Sequence, residues 1–280
     1  MLMTLDVGNT NTVLGVFSHA SHGTPGRLLA DWRVTTHKTQ TADEYGVLFL
    51  NLFAMRGVDA AAVDSIIISS VVPPLDSTLR RVSEKYFGRK PLLVEPGIRT
   101  GMPLLVDNPA EVGADRVVNG VAAFALYGGP CIVVDFGTAT TFDVISAKGE
   151  FLGGAIAPGL GISADALFSR AARLSRVDVR KPLQAIGTNT VTNLQSGLFY
   201  GYLGLVDGIL QHILAELPGQ PKIIATGGLA RLIAPDSAYI TETHEMLTLE
   251  GLRLIWERNA AERGPARKAG AQAVKSGADS

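Results

Sequence analysis

Short apolar segments with strand-like patterning alternate along the chain with longer segments of helical spacing. The front of the chain predicts two strands, "LMTLDV" and "NTVLGVF", which a short Gly-Asn-Thr-Asn turn joins. A helix is predicted to begin near Thr41, because Thr41 and Glu44 have the three-residue spacing of a capping box. The apolar run "VDSIIISSVVP" predicts a buried strand that ends at Pro73. Such alternation is typical of an α/β fold.

The second part of the chain repeats this arrangement. A helix is predicted from about Asn108 to Gly128. After it come a strand pair around "VVDFGTATT", a long helix across "TVTNLQSGLFYGYLGLVDGILQHILAEL", a strand that ends in "ATGG", and a closing helix. Residues 259–280 are small, polar and aperiodic, which predicts a disordered tail. We therefore expect two α/β domains, residues 1–127 and 128–258, with a ligand cleft between them.

Composition narrows the possible functions. Of the 280 residues, 46% are hydrophobic and 18% are charged, the balance of an ordinary globular protein. A formal net charge of −1 gives no reason to expect binding to nucleic acid or to anionic lipid. The single cysteine, Cys131, excludes an internal disulfide. Polar residues interrupt the apolar runs and no signal-peptide pattern opens the sequence, so we expect a cytoplasmic protein without a membrane span.

A short acidic turn occurs twice, as "DVGNTNT" from Asp6 and as "DFGTATT" from Asp135. Each copy ends an apolar strand and places glycine and hydroxyl side chains shortly after the aspartate. Successive backbone N–H groups in such a turn bind anionic oxygens, and the hydroxyls add donors. The carboxylate would repel phosphate unless a cation lay between them, so the pattern predicts a metal–nucleotide site. One copy could equally be an ordinary capped turn, whereas two copies favour a clamp on a polyphosphate.

Two further motifs fit the same cleft. In "IIATGG" a predicted strand ends at Gly227 and Gly228, where adenine and ribose could lie against bare backbone. In "EVGADRVVNG", Asp115 could accept a proton from a substrate hydroxyl, and Arg116 could hold an anionic group. On residue chemistry alone, a helix-start aspartate that favours the helix dipole and a surface arginine are the preferred interpretation of this motif. Asp143 either supports the cleft or is a solvated residue of an edge strand.

The chain resembles type III pantothenate kinases in a series of motifs, which occur in the order "DVGNTNT", "SSVVP", "NPAEVGADR", "DFGTATT", "GGAIAPG", "GTNTVTNLQSG" and "ATGG". That family belongs to the acetate and sugar kinase/Hsp70/actin superfamily, and the resemblance runs from about residue 3 to about residue 258. It implies two actin-like (ribonuclease H-like) domains with an ATP cleft between them. It also implies a homodimer that phosphorylates the terminal hydroxyl of pantothenate with ATP, the first step of coenzyme A synthesis.

The resemblance also implies roles for individual residues. Asp115 would be the catalytic base, Asp6 would lie near Mg²⁺ with water between them, and Asp135 would bind a monovalent cation, K⁺ or NH₄⁺. The ATP-binding residues would be Asp6, Val7, Gly8, Asn9, Thr10, Asn11, Thr12, Val13 and Thr138, to which the motif chemistry adds Gly227 and Gly228. The substrate-binding residues would be Gly113, Ala114, Asp115, Arg116 and Thr190.

One departure from the family pattern lies at Val106. Many members have a tyrosine here, two residues before the Asn-Pro pair, and its hydroxyl contacts pantothenate. A lost hydroxyl contact is worth roughly 0.5–1.5 kcal/mol, so it would weaken binding of the acceptor and leave the reaction type unchanged. Two alternatives stay open at this point. One is another small-molecule kinase of the same superfamily, and the other is a nucleotide-binding regulator without catalytic activity.

Overall fold

The chain builds two five-stranded sheets in the computed structural model, which describes residues 1–21, 23–171 and 174–263. The strands of the first sheet are β1 (Leu2–Val7), β2 (Asn11–Phe17), β3 (Leu28–Thr35), β4 (Ser65–Ser70) and β5 (Leu92–Leu93). Those of the second are β6 (Cys131–Phe136), β7 (Ala139–Ile145), β8 (Phe151–Pro158), β9 (Lys222–Thr226) and β10 (Glu242–Thr243).

The two sheets have the same topology. Their spatial orders are β3-β2-β1-β4-β5 and β8-β7-β6-β9-β10. In each sheet the first three strands in sequence pair antiparallel, and the remaining two join in parallel. The prediction that each half opens with a strand–turn–strand unit is therefore confirmed.

The helices are α1 (Ala42–Met55), α2 (Pro73–Phe87), α3 (Ala114–Tyr127), α4 (Leu160–Arg170), α5 (Thr190–Glu216), α6 (Ala230–Ile233) and α7 (Leu247–Arg263). The predicted capping box at the start of α1 is present, because the Thr41 hydroxyl accepts from the Glu44 N–H and the Glu44 carboxylate accepts from the Thr41 N–H. Two reciprocal bonds satisfy donors that a helix start otherwise leaves free.

Three buried clusters divide the molecule into layers. The middle cluster lies between the two sheets and joins Leu2 and Ile67 of the first sheet to Val133 of the second through residues of α3 and α7. A second cluster packs α1 and α2 on the outer face of the first sheet. The third packs α5 and α6 on the outer face of the second sheet. Helix α3 is therefore enclosed between the sheets, which decides where its first turn points.

Two predicted helix bounds differ from the structure. The segment at Asn108 forms a separate 3₁₀ turn, Pro109–Glu111, because the Asn108 side chain accepts from the Ala110 N–H. Helix α3 begins only at Ala114, after Gly113. At the other end of the chain α7 continues to Arg263, so the prediction of a disordered tail from residue 259 is wrong for 259–263, and 264–280 lie outside the described residues.

Helix α7 comes from the end of the chain and packs back onto the first sheet. It contacts α3, β1, β2 and β4, and its buried residues Leu247, Leu249, Leu252 and Ile255 belong to the middle cluster. The division at residues 127 and 128 separates the two sheets along the sequence and stays a proposal, because α7 follows the second sheet in sequence and lies against the first.

Helix α5 is the one described helix that is long and apolar enough to cross a membrane by length and composition alone. One side of it packs on the second sheet through Phe199, Tyr202, Val206 and Leu210. Core helices of soluble proteins pass the same test of length and composition, so this helix is weak evidence for a membrane span.

Candidate active site

The two acidic turns meet in the folded chain. The first joins β1 to β2 and is closed by a bond of 2.9 Å from the Gly8 N–H to the Asn11 carbonyl. The second joins β6 to β7 and is closed by a bond of 3.1 Å from the Gly137 N–H to the Ala139 carbonyl. The hydroxyl oxygens of Thr10 and Thr138 lie 2.7 Å apart and share a hydrogen bond. The predicted pair of turns therefore forms one site.

Three carboxylates lie close enough at this site to affect one another. Burial raises the pKa of Asp6 well above its usual range, and the charges of Asp115 and Asp135 raise it further. Burial, followed by the charge of Asp115, raises the pKa of Asp135 to about 7. Since each of these carboxylates disfavours the charge of the next, the cluster favours bound cations.

No group of three metal-binding side chains close enough to hold a metal ion occurs in the described ranges. An ion here would therefore take some ligands from phosphate and water. That arrangement is the usual one for Mg²⁺, which commonly binds one or two carboxylates together with substrate phosphates.

Asp6 has an unpaired polar neighbour. Ser69 lies beside Asp6 in the register of β4 with β1, and its hydroxyl is fully buried and has no hydrogen-bond partner. Among the described residues the Asp6 carboxylate has no hydrogen bond either. Two adjacent oxygen groups without partners fit a hydrated cation, since buried polar groups are normally satisfied. Sequence reasoning missed Ser69, although it stands in the "SSVVP" motif.

Asp115 lies in the first turn of α3, at the end of the helix that faces the carboxylate cluster. Its Oδ1 accepts a bond of 2.8 Å from the Arg116 N–H, and burial raises the pKa of its carboxyl. A Cβ on Gly113 would lie 2.6 Å from Asp115 Oδ1, so any other residue there would displace this carboxylate. The Gly-Ala-Asp-Arg motif thus places Asp115 close to Asp6 and Asp135.

Arg116 is held by a buried ion pair. Its Nε donates to Asp143 Oδ1 at 2.7 Å, and its Nη2 lies 2.6 Å from the same oxygen. Asp143 is fully buried, so of its two interpretations the solvated edge residue is wrong. Burial raises the pKa of Asp143 to about 6, while the Arg116 charge opposes that rise. The guanidinium also lies 5.5 Å from the centre of the Phe151 ring, a cation–π contact.

Asn119 links α3 to the second turn, and sequence reasoning missed it. Its Nδ2 donates to Asp135 Oδ2 at 3.0 Å, and its Oδ1 accepts from the Thr248 hydroxyl at 2.8 Å. The available signal was its place four residues after Asp115, in the part of the helix that is otherwise apolar, since residues at that spacing share one helix face. Asn119 therefore fixes the orientation of the Asp135 carboxylate.

The glycine turn at Gly227 and Gly228, which follows β9, packs against Asp135. Gly227 has φ of +89°, and a Cβ there would lie 2.4 Å from Asp135 Oδ1 and 2.7 Å from the Phe136 nitrogen. Only a residue without a side chain allows this approach. The structure thus brings Gly227 to the second acidic turn, as the motif order suggested.

One predicted substrate-binding residue, Thr190, lies elsewhere, and so does Val106, which departs from the family pattern. Thr190, the first residue of α5, lines an apolar groove of about 490 Å³ with residues of α4 and α5, and none of the lining residues belongs to the carboxylate cluster. Val106 packs on the middle cluster, 3.7 Å from the position that a Cβ on Gly153 would take. Within one chain, the structure does not join Thr190 to Asp115.

Comparison with known proteins gives the family. The model of the type III pantothenate kinase family matches residues 2–212. A type III pantothenate kinase of Koribacter versatilis is 66% identical over 263 residues, which cover 92% of this chain and 96% of that protein. The chain belongs to the type III pantothenate kinase family.

Solved structures with the same fold are much less similar to this chain in sequence than the type III pantothenate kinases are. A conserved putative Baf family transcriptional activator from Campylobacter jejuni has a TM-score of 0.58 at 20% identity and covers 92% of this chain and 99% of its own. A ROK family glucokinase from Streptomyces griseus, in complex with glucose and AMPPNP, has a TM-score of 0.52 at 12% identity, covering 92% and 98%. These likenesses confirm the predicted fold class of two actin-like domains.

The carboxylate cluster predicts an unusual dependence of stability on pH. Asp135 has a pKa of about 7 in the folded protein against 3.8 for an ordinary aspartate, so the folded state binds this proton more tightly than the unfolded chain. Its contribution favours folding below about pH 4 and is lost as the pH rises through 7. In cation-free buffer, Asp135→Asn should raise the free energy of unfolding at pH 8 by on the order of 1 kcal/mol.

Urea unfolding at pH 5 and pH 8 measures this effect. The wild type should lose more stability between the two pH values than Asp135→Asn does. Asp165→Asn, at an exposed ion pair with Arg176, is the matched control and should keep the wild-type dependence. Equal pH dependence in the wild type and Asp135→Asn would contradict the account.

Proposed function

We propose that this chain transfers the γ-phosphoryl group of ATP to the terminal hydroxyl of pantothenate, the first step of coenzyme A synthesis. The observation that carries the proposal is the meeting of the two acidic turns at Thr10 and Thr138, beside the carboxylate of Asp115. A polyphosphate bound by both turns would present its terminal phosphoryl group to an acceptor held near Asp115. Membership of the type III pantothenate kinase family supports pantothenate as that acceptor.

Asp115 would act as the general base. Burial raises the pKa of Asp115, which makes the carboxylate a stronger base than an exposed aspartate. Its bond from the Arg116 N–H holds the carboxylate in place. Because the transition state of phosphoryl transfer is loose, the acceptor proton leaves late and positioning contributes more than basicity.

Asp6 and Asp135 would hold different cations. Asp6, with the unpaired hydroxyl of Ser69 beside it, fits a hydrated Mg²⁺. Asp135, with one oxygen bonded to Asn119 and the bare backbone of Gly227 against the other, fits a monovalent cation, K⁺ or NH₄⁺. When bound, these ions would offset the negative charge that develops on the phosphoryl oxygens.

The acceptor would lie along Gly113, Ala114 and Arg116. The ion pair with Asp143 uses Nε and Nη2 of Arg116, so Nη1 would be available to an anionic group of the acceptor. A guanidinium fixed by a buried carboxylate loses little conformational freedom on binding, which favours its use in recognition. Val106 is the observation that favours a different acceptor, since it offers no hydroxyl at that position.

Release of ADP from ATP tests the proposal. We expect turnover with pantothenate that exceeds turnover with a panel of sugars, polyols and carboxylates, and that falls when K⁺ and NH₄⁺ are replaced by a larger organic cation. Turnover without any acceptor, or a sugar that outperforms pantothenate, would refute pantothenate as the substrate. Turnover that is independent of the monovalent cation would refute the role of Asp135 alone.

Replacing Asp115 separates chemistry from nucleotide binding. Asp115→Asn should lower kcat by about 100-fold or more, because the amide cannot take the hydroxyl proton. The KM for ATP should stay within about threefold of the wild-type value. The control is Asp165→Asn, which removes a carboxylate from an exposed ion pair. Wild-type turnover in Asp115→Asn would show that another group is the base.

We also propose that the chain is a cytoplasmic homodimer that pairs through α5. Four glycines of this helix, Gly197, Gly201, Gly204 and Gly208, follow one helix face, and a Cβ on any of them would meet no atom within 4 Å. The apolar groove at Thr190 lies at the start of the same helix. A helix of a second copy could pack closely on this face, because its glycines present no side chains.

A charged substitution on the glycine face tests the dimer. Gly204→Arg should convert the protein to a monomer in analytical ultracentrifugation, because a guanidinium would stand where the second helix packs. Met55→Arg adds the same charge at an exposed position of α1 and should leave the oligomeric state unchanged. A wild-type monomer at micromolar concentration, or a Gly204→Arg dimer of wild-type stability, would refute this interface.

A further inference from the structure

Arg33 lies two strands away from Asp6, directly across the first sheet, and belongs to neither acidic turn. In the first sheet Asp6 pairs with Val13, and Val13 pairs with Arg33. Residues directly opposite one another on antiparallel strands project from the same face. Asp6 and Arg33 therefore face the same side of the sheet, with the uncharged Val13 between them.

The guanidinium of Arg33 reaches the second domain. A Cβ placed on Gly228 would lie 3.8 Å from Nη1 of Arg33. Gly228 belongs to the third glycine turn, which closes against Asp135 through Gly227. The positive charge of Arg33 also lowers the pKa of both Asp6 and Asp135, against the larger effect of burial. One side chain of the first sheet thus lies beside the third glycine turn and is close enough to Asp6 and Asp135 to lower the pKa of both.

The other cations near the cleft already have partners. Arg116 is paired with the buried Asp143. Lys38 donates to the Asn9 side chain at 3.1 Å, at the outer side of the first turn. Across residues 1–21, 23–171 and 174–263, no hydrogen bond or ion pair involves the side chain of Arg33. An exposed arginine beside a group of carboxylates would ordinarily pair with one of them, so its free donors point to a ligand.

We propose that Arg33 is a further nucleotide-binding residue, which donates hydrogen bonds from its guanidinium to the phosphate groups of the bound nucleotide and so links the first sheet to the nucleotide turn of the second. This inference rests on the proposed kinase reaction and extends it.

The chemistry of the site explains why such a cation is required. The nucleotide phosphates enter a cleft that already holds Asp6, Asp115 and Asp135, so like charges have to be offset. The acidic turns supply neutral N–H and hydroxyl donors. A guanidinium supplies a full charge and a rigid planar set of donors that can form two parallel bonds to phosphate oxygens, a geometry that the ammonium group of lysine does not offer.

Inhibition by ADP and by adenosine, each measured against ATP, tests the proposal together with kcat and the KM for ATP. In Arg33→Met the ADP inhibition constant and the KM for ATP should each rise about 10- to 100-fold, the effect of a lost charged hydrogen bond. Adenosine inhibition should change less than threefold, because adenosine carries no phosphate. Arg33→Lys should recover part of the ADP affinity.

The matched control is Arg27→Met. Arg27 is also exposed and lies just before the same strand, and its backbone N–H bonds Ser18. This variant should bind ADP as the wild type does, and thermal unfolding should show that all variants fold. Unchanged ADP affinity in Arg33→Met, or equal losses for ADP and adenosine, would overturn the proposal. The wild type and Arg27→Met should both phosphorylate pantothenate. If they do not, the kinase assignment fails; if they do, the ADP measurements test the role of Arg33 alone.

Discussion

Mutual repulsion among three carboxylates is the constraint on which the rest of this structure depends. Asp6, Asp115 and Asp135 come from a strand of each sheet and from the helix between the sheets, and each raises the electrostatic cost of ionising another. The fold tolerates this cost because its hydrophobic layers are extensive. The carboxylate cluster therefore lowers the net stability that the core provides, as functional sites commonly do.

The duplicated sheet explains how the carboxylates come together. In both sheets the aspartate ends the central strand, so each acidic turn opens at the same edge of its sheet. Because the two sheets pack on opposite sides of α3 and α7, the two edges that carry the acidic turns lie on one side of the molecule. Helix α3 starts at that side, and its first turn places Asp115 beside both aspartates. The two turns differ in their partners, because Asn119 bonds Asp135 and the buried hydroxyl of Ser69 lies beside Asp6.

Much of the fold could be predicted because its signals are local. The capping box at Thr41, the long helix α5 and the strand pairs around both acidic turns follow from residues close in sequence. The errors lie at helix ends. The helix predicted from Asn108 begins six residues later, because local bonds of Asn108 favour a separate turn. Helix α7 continues to Arg263, although residues 259–263 are polar in composition. Packing on α3 and the first sheet can extend a helix beyond its own apolar pattern.

By itself the sequence determined the two acidic turns and the glycine turns, because each is a short motif whose backbone chemistry is set by neighbouring residues. Only the tertiary structure decided which of them meet. The contact of Thr10 with Thr138, the bond of Asn119 to Asp135 and the burial of Asp143 under Arg116 join separate strands and helices. Such contacts arise from the packing of two sheets around shared helices, and no local pattern encodes the distance between side chains on different layers.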